Sequence, residues 1–187
     1  MVIIFLGPPA AGKGTQGKKL VRFLSAQHLS TGDMLRDMRE QPTELGQRVA
    51  EFMDAGKLVS DEIVLDVVRH RLEISGNVNY LFDGFPRTLS QADTLDEMLA
   101  EIDAQVDAVV GIFVPDEVLI ERAVKRGQEE NRADDTPETV ARRLEIYHQQ
   151  TEPLVSYYSE RGLVHQVDGL GTIEEVFQRI LGAIEGR

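Results

Sequence analysis

The chain has 187 residues, enough for one domain that buries a sizeable hydrophobic core. It carries no cysteine, which excludes disulfides, thiolate zinc sites and a cysteine nucleophile. A formal net charge of −12 argues against a nucleic-acid coat or a membrane-surface protein, since both need a basic face, and no apolar run or N-terminal leader pattern predicts anything but a soluble cytoplasmic chain.

Short apolar runs followed by helical periodicity predict βα units around a mostly parallel sheet. Residues 2–6 are the first strand, the Gly-rich segment 7–15 follows, and Leu20, Phe23 and Leu24 continue at helical spacing. A second strand fits 27–30. Residues 32–40 and 43–55 read as two short helices, separated by Pro42 and closed by Gly56, with no strand between them; such a pair suggests a satellite lobe. Ser60 is expected to cap the next helix, whose buried face holds Ile63, Val64, Val67, Val68 and Leu72. A strand at 80–82 runs into Asp83, and a helix spans 90–102. The strand at 108–114 leads to Pro115, which opens a helix that Gly127 is expected to end. Residues 127–131 then form a polar, mobile turn. A long helix starts at Thr136 and Pro137, bends at Pro153 and stops at Gly162. The last strand is 163–167, and Thr172 with Glu175 makes a capping box for the final helix.

The segment 7–15, GPPAAGKGT, carries the chemistry. A Gly-rich turn between a buried strand and a helix N-terminus aims backbone N–H groups at one point, where the helix dipole adds positive charge. Lys13 would reach the outer phosphates of a nucleoside triphosphate, and the Thr15 hydroxyl would help hold Mg²⁺. Asp83, directly after a buried strand, lies at the sheet edge where ligands bind and would orient Mg²⁺ or its waters. An acidic protein that binds phosphate must gather its cations locally, and the candidates are Lys13, Arg36, Arg87, Arg122, Arg126, Arg132 and Arg143. Phosphoryl transfer needs cations more than it needs a nucleophile, and guanidinium grips phosphate bidentately. The histidines at 28, 70, 148 and 165 lack nucleophile or metal-ligand spacing and read as surface or packing residues.

These residues resemble the adenylate kinase family along essentially the whole chain. The matching stretches are GPPAAGKGTQ from Gly7, STGDMLR from Ser30, GKLVSDE from Gly56, LFDGFPRTLSQ from Leu81, NRADD from Asn131 and RRLEIYH from Arg142. DGFPR with a Gln at this interval points to nucleoside monophosphate kinases. The resemblance implies an α/β P-loop fold with a five-stranded parallel core, and the reaction ATP + AMP ⇌ 2 ADP with Mg²⁺. It implies a core at 1–29, 60–125 and 137–187, a monophosphate-binding lobe at 30–59 and a short lid at 126–136. ATP would be held by Ala10, Ala11, Gly12, Lys13, Gly14 and Thr15, supported by Arg122 and Arg126, with Gly171 beside the base. AMP would be held by Thr31, Arg36, Lys57, Leu58, Val59, Gly84, Phe85, Pro86, Arg87 and Gln91, with Gln91 reading the adenine edge. Arg132 and Arg143 would bridge toward the transferred phosphoryl group and the AMP phosphate. A monomer is implied, with no nucleic-acid or membrane partner.

Two departures stand out. Ala10 occupies a position where the family usually has Gly, so a positive φ there would strain it. The lid resembles the short form, so no structural zinc is expected. A UMP/CMP kinase shares core and lobe, but Thr31 and Thr88 favour AMP. A non-catalytic nucleotide sensor would not need arginines on every side of a transfer path.

Overall fold

Val2–Leu6 is buried at every position, so both faces of this strand must be covered. The computed structural model describes residues 1–75, 79–130, 132 and 134–185, and in it this run is β1, the centre of a five-stranded sheet. With β2 (Gln27–Ser30), β3 (Tyr80–Asp83), β4 (Ala108–Phe113) and β5 (Val164–Asp168), the order is β2-β3-β1-β4-β5, and every neighbouring pair is parallel. Alternation along β1 divides the interior in two, because successive side chains point to opposite faces. Val2, Ile4 and Leu6 join Leu29, Phe82 and Leu95 on one face; Ile3 and Phe5 join Leu20, Val110 and Ile180 on the other.

The connecting helices are α1 (Lys13–Leu24), α2 (Thr31–Arg39), α3 (Glu44–Asp54), α4 (Asp61–Ser75), α5 (Leu89–Ala100), α6 (Asp116–Glu130), α7 (Pro137–Ile146), α8 (Pro153–Ser159) and α9 (Ile173–Glu185). Parallel pairing puts every strand's carboxyl end on one edge. The register sets Asp83 beside Phe5 and Ser30, which brings the starts of the Gly-rich turn, of α2 and of the 84–88 loop together. The two helices read from 32–40 and 43–55 are α2 and α3, and Leu35 and Val49 of this pair pack into the first of the two cores.

Three details differ from the sequence reading. Gly127 does not end α6, which continues to Glu130. Gln128, Glu129 and Glu130 are good helix formers, and Glu129 pairs with Lys125 across one turn at 3.8 Å. What Gly127 supplies is close approach: a Cβ there would stand 3.0 Å from the Asp135 Cβ and 3.2 Å from its carbonyl oxygen. The proposed turn at 127–131 is therefore mostly helix, and its last residue, Asn131, lies outside the described residues, as does Ala133 of NRADD. Ser60 does not cap α4 with its side chain, since its buried Oγ has no hydrogen-bond partner; Asp61 and Glu62 instead put negative charge in the first turn. The long helix from Pro137 is interrupted by a π-helical turn at Tyr147–Thr151, closed by the Glu152 N–H donating to the Tyr147 carbonyl at 2.9 Å. Pro153 has no N–H for the ordinary ladder, and the wider turn absorbs the mismatch. The Thr172–Glu175 capping box forms as read, with Glu175 Oε2 accepting from the Thr172 N–H at 2.7 Å.

Candidate active site

The Gly-rich turn leaves β1 and enters α1 through Gly12, whose left-handed backbone offers no side-chain cap. The N–H groups of the first turn of α1 thus stay available to an anion. Ala10 has φ 63°, the positive value that strains alanine, and it packs against the second core. Lys13 folds back over the turn and donates from Nζ to the Gly7 and Pro8 carbonyls at 2.7 and 2.8 Å. Burial lowers its pKa to about 8, against the pull of Asp83; Arg87, Arg143 and Arg126 push it further down.

Two cavities open on this carboxyl edge. The larger is walled by the turn from Pro9 to Gln16, by Asp83, by Arg122, Arg126 and Arg132, and by Gly169, Gly171, Thr172 and Ile173. The other runs under α2 and α3, past Leu35, Met53, Lys57, Leu58, Val59, Pro86 and Tyr147. Lys13, Arg36, Gly84, Arg87 and Arg143 belong to the walls of both. The cavities meet at four cations, so two phosphate-bearing ligands entering from opposite sides would bring their charged ends together there.

Each cation is held by its own set of partners. Arg87 donates from Nε to the Gly84 carbonyl at 2.7 Å, and burial together with Arg143 lowers its pKa to about 10. Arg126 grips Asp135 with both Nε and Nη2, at 2.7 and 2.9 Å. Arg143 Nη1 reaches Asp134 Oδ2 and Asp135 Oδ1, each at 3.0 Å. Burial depresses the Arg143 pKa, with Asp134 and Asp135 opposing; at Arg126 burial is again the largest single effect, but the Asp135 hydrogen bonds together with the charges of Asp135, Asp134 and Glu130 outweigh it and the pKa rises. Arg132 pairs with Glu130 at 2.6 Å, Arg36 pairs with Asp33, and Arg122 donates to the Gly169 carbonyl at 3.2 Å.

A model of the family described as adenylate kinase matches residues 5–163. The chain belongs to the adenylate kinase family. An adenylate kinase of Hyphomonas neptunium is 50% identical over 186 residues, spanning 99% of this chain and 98% of its own. One from Thermus thermophilus is 49% identical over 182 residues, spanning 97% and 96%, and one from Thermobifida fusca is 46% identical over 188 residues, spanning both chains in full. The enzyme is thus a phosphotransferase of the adenylate kinase type on a P-loop fold, and among the described residues no helix is long and apolar enough to cross a membrane.

Not every residue read from the sequence lines these cavities in this kinase. Thr31 and Gln91 are each 2% exposed, and Phe85 is fully buried. Thr31 Oγ1 donates to the Gly84 carbonyl at 2.8 Å, fixing the loop that carries Arg87. The Gln91 amide is engaged at both ends: its Oε1 accepts from the Arg87 N–H at 2.8 Å and its Nε2 donates to Asp61. Thr88 caps α5 through the Gln91 N–H.

Sequence reading missed several side chains that organise the site. Asp134 and Asp135 are both 4% exposed, yet adjacent acidic residues in a polar loop look like surface. His28 Nε2 lies 3.3 Å from Asp83 Oδ2, a contact between β2 and β3 that only the strand order reveals. Thr151, in the π-helical turn, donates to the Arg87 carbonyl at 2.9 Å. The NRADD stretch is the sequence signal for the aspartates.

Proposed function

We propose that the enzyme reversibly transfers the terminal phosphoryl group of Mg-ATP to AMP, giving two ADP. The observation that carries this reading is the pair of cavities meeting at Lys13, Arg36, Arg87 and Arg143. One cavity takes the donor, with its phosphates on the backbone of residues 10–15 and on Lys13, Arg122 and Arg126, and its base toward Gly171. The other takes the acceptor, against Arg36, Lys57, Leu58, Val59, Gly84, Pro86 and Arg87, with Thr31 and Phe85 supporting the loop. Gln91 reaches the acceptor base only by exchanging its contact with Asp61. Segment 30–59 serves as the acceptor lobe and 126–136 as the short lid, closing over the core to exclude water.

The attacking atom is an oxygen of the AMP phosphate, already anionic. One bond forms from it to the γ-phosphorus, the bond to the bridging oxygen breaks, and ADP leaves with that electron pair. No general base is needed, in keeping with a site made of cations. Arg87 holds the acceptor phosphate in line; Arg126, Arg132 and Arg143 spread charge over the transferred group. The residues present suit Mg²⁺: Asp83 and Thr15 are hard oxygen donors on the wall of the donor cavity, and Asp83 Oδ2 lies 3.6 Å from where a Gly14 Cβ would stand. Asp83 and Thr15 would hold the ion through water, and it would neutralise phosphate charge there. Among the described residues no group of three or more His, Asp or Glu side chains could hold a metal by itself. The reading includes a cytoplasmic monomer.

The test is ADP formation from Mg-ATP with AMP, UMP or CMP in turn. Turnover with AMP supports the reading, faster turnover with UMP or CMP replaces the acceptor, and none with any monophosphate leaves a nucleotide sensor.

A further inference from the structure

The donor cavity ends, away from the phosphate cradle, on the loop that joins β5 to α9. Its backbone groups are almost all committed. The Gly169 N–H donates to the Phe113 carbonyl at 2.8 Å and the Leu170 N–H to Asp168 Oδ1 at 2.9 Å. The Thr172 N–H is taken by Glu175 and the Gly169 carbonyl by Arg122. The Ile173 carbonyl accepts from Gln16 Nε2 at 2.9 Å. Arg179, two turns along α9, donates from Nη1 to the Asp168 carbonyl at 2.9 Å and to the Leu170 carbonyl at 2.6 Å. Among the described residues, only Gly171 keeps both its N–H and its carbonyl free between 169 and 172.

Gly171 sits at φ 110°, and a Cβ there would meet Glu175 Oε2 at 2.7 Å, with an Arg179 nitrogen 3.7 Å away. The loop is therefore clamped from behind. We propose that Arg179 is a positioning residue for the choice of donor base: by holding the carbonyls at 168 and 170 it withdraws two competing acceptors and fixes the Gly171 peptide as the one backbone unit offered to the base. A carbonyl in that place accepts from a 6-amino purine and repels a 6-oxo purine. Arg179 touches neither the phosphates nor the acceptor cavity, so its effect falls on the donor alone. A single hydrogen bond held in register, against the same bond lost, corresponds to about a tenfold preference.

This inference rests on reading the larger cavity as the donor site. Its test compares wild type, Arg179→Ala and Arg179→Lys with ATP and ITP as donors, AMP being the acceptor, alongside calorimetric titration of each donor without AMP. Arg179 is exposed, so the alanine variant is expected to fold, and its Tm is recorded to confirm this. Expected are a rise of about tenfold in the KM for ATP, a fall of about tenfold in the ATP-over-ITP preference and a KM for AMP within about twofold of wild type. Arg179→Lys, whose ammonium can still donate to the two carbonyls, recovers most of the preference. A folded Arg179→Ala variant with an unchanged preference overturns the proposal, and so does an equal loss of affinity for donor and acceptor. Absence of turnover in the wild type would instead sink the reaction assigned above, while the titrations would still report the base preference.

Discussion

Asp135 makes a demanding test of how the cation cluster is held. Its carboxylate is fully buried and accepts from Arg126 twice and from Arg143 once, at 2.7, 2.9 and 3.0 Å. In Asp135→Asn the shape is kept, one oxygen still accepts, and an amide nitrogen faces a guanidinium that can only donate. Removing one partner of a buried pair costs about 3–5 kcal/mol, and charge-assisted hydrogen bonds contribute about 1.5–3 kcal/mol each. Arg126 and Arg143 keep 26% and 19% of their side-chain surface, so water recovers part of this. The expected loss is about 2–4 kcal/mol, or roughly 5–12 °C in Tm for a domain of this size. Urea unfolding of Asp135→Asn, Arg126→Met and the double variant gives the coupling directly, expected to exceed about 1.5 kcal/mol. Nucleotide phosphates bring a replacement counter-charge to both arginines, so saturating ADP should narrow the Tm gap between variant and wild type. A loss below about 1 kcal/mol, or a gap that ADP leaves unchanged, would refute the view that Asp135 balances the charge of these cations.

Arg87→Ala should lower turnover by about a thousandfold, the scale of an arginine acting on a transferring phosphoryl group, and cost little stability, because burial already disfavours its charge. Steady-state rates and a thermal melt check this, and a rate within tenfold of wild type would remove Arg87 from the transfer path. His148 bridges Glu152 at 2.9 Å and Asp116 at 3.1 Å, and these hydrogen bonds raise its pKa above 6.5. A raised folded pKa stabilises below the unfolded value, and the gain fades as pH rises through the folded one. His148→Gln should therefore be less stable than wild type at pH 5.5 and equal to it by pH 8.5, by a small margin because the pair is solvent-screened; equal melting curves at pH 5.5 would contradict this. Gly127→Leu should weaken the enzyme by more than about 1 kcal/mol despite its better helix propensity, because the side chain would press on Asp135 at 3.0 Å. Urea midpoints decide it, and a gain in stability would show that the contact is soft.

The sheet, the Gly-rich turn and the capping box were legible because each is local: a buried run, a spacing, a Ser/Thr-to-Glu interval. At Ala10, where the resembled family usually has Gly, the sequence flagged strain on condition of a positive φ, and φ is 63°. Contacts made across the fold were not legible. Asp134 and Asp135 become interior only when α6 and α7 bring Arg126 and Arg143 onto them, and apart from the NRADD stretch a polar loop gives no sign of that. His28 faces Asp83 only because β3 inserts between β2 and β1, a consequence of strand order rather than of any spacing. Gly127 was misread for the same reason, since its lack of a side chain serves a neighbour eight positions on and not the end of its own helix.

The charge balance of the chain follows from the same geometry. A site for two phosphate ligands must concentrate positive charge, and without ligands that charge opposes folding, as the lowered pKa values of Lys13 and Arg87 show. Asp134 and Asp135 offset it locally at Arg126 and Arg143, and Asp33 and Glu130 do so at Arg36 and Arg132. Among the described residues Lys13 and Arg87 have no such direct carboxylate partner and lean on backbone carbonyls instead. Both lie on the walls of both cavities, so a phosphate bound there would supply the counter-charge they lack. On the function proposed above, binding energy would thereby be concentrated where the transferred group passes.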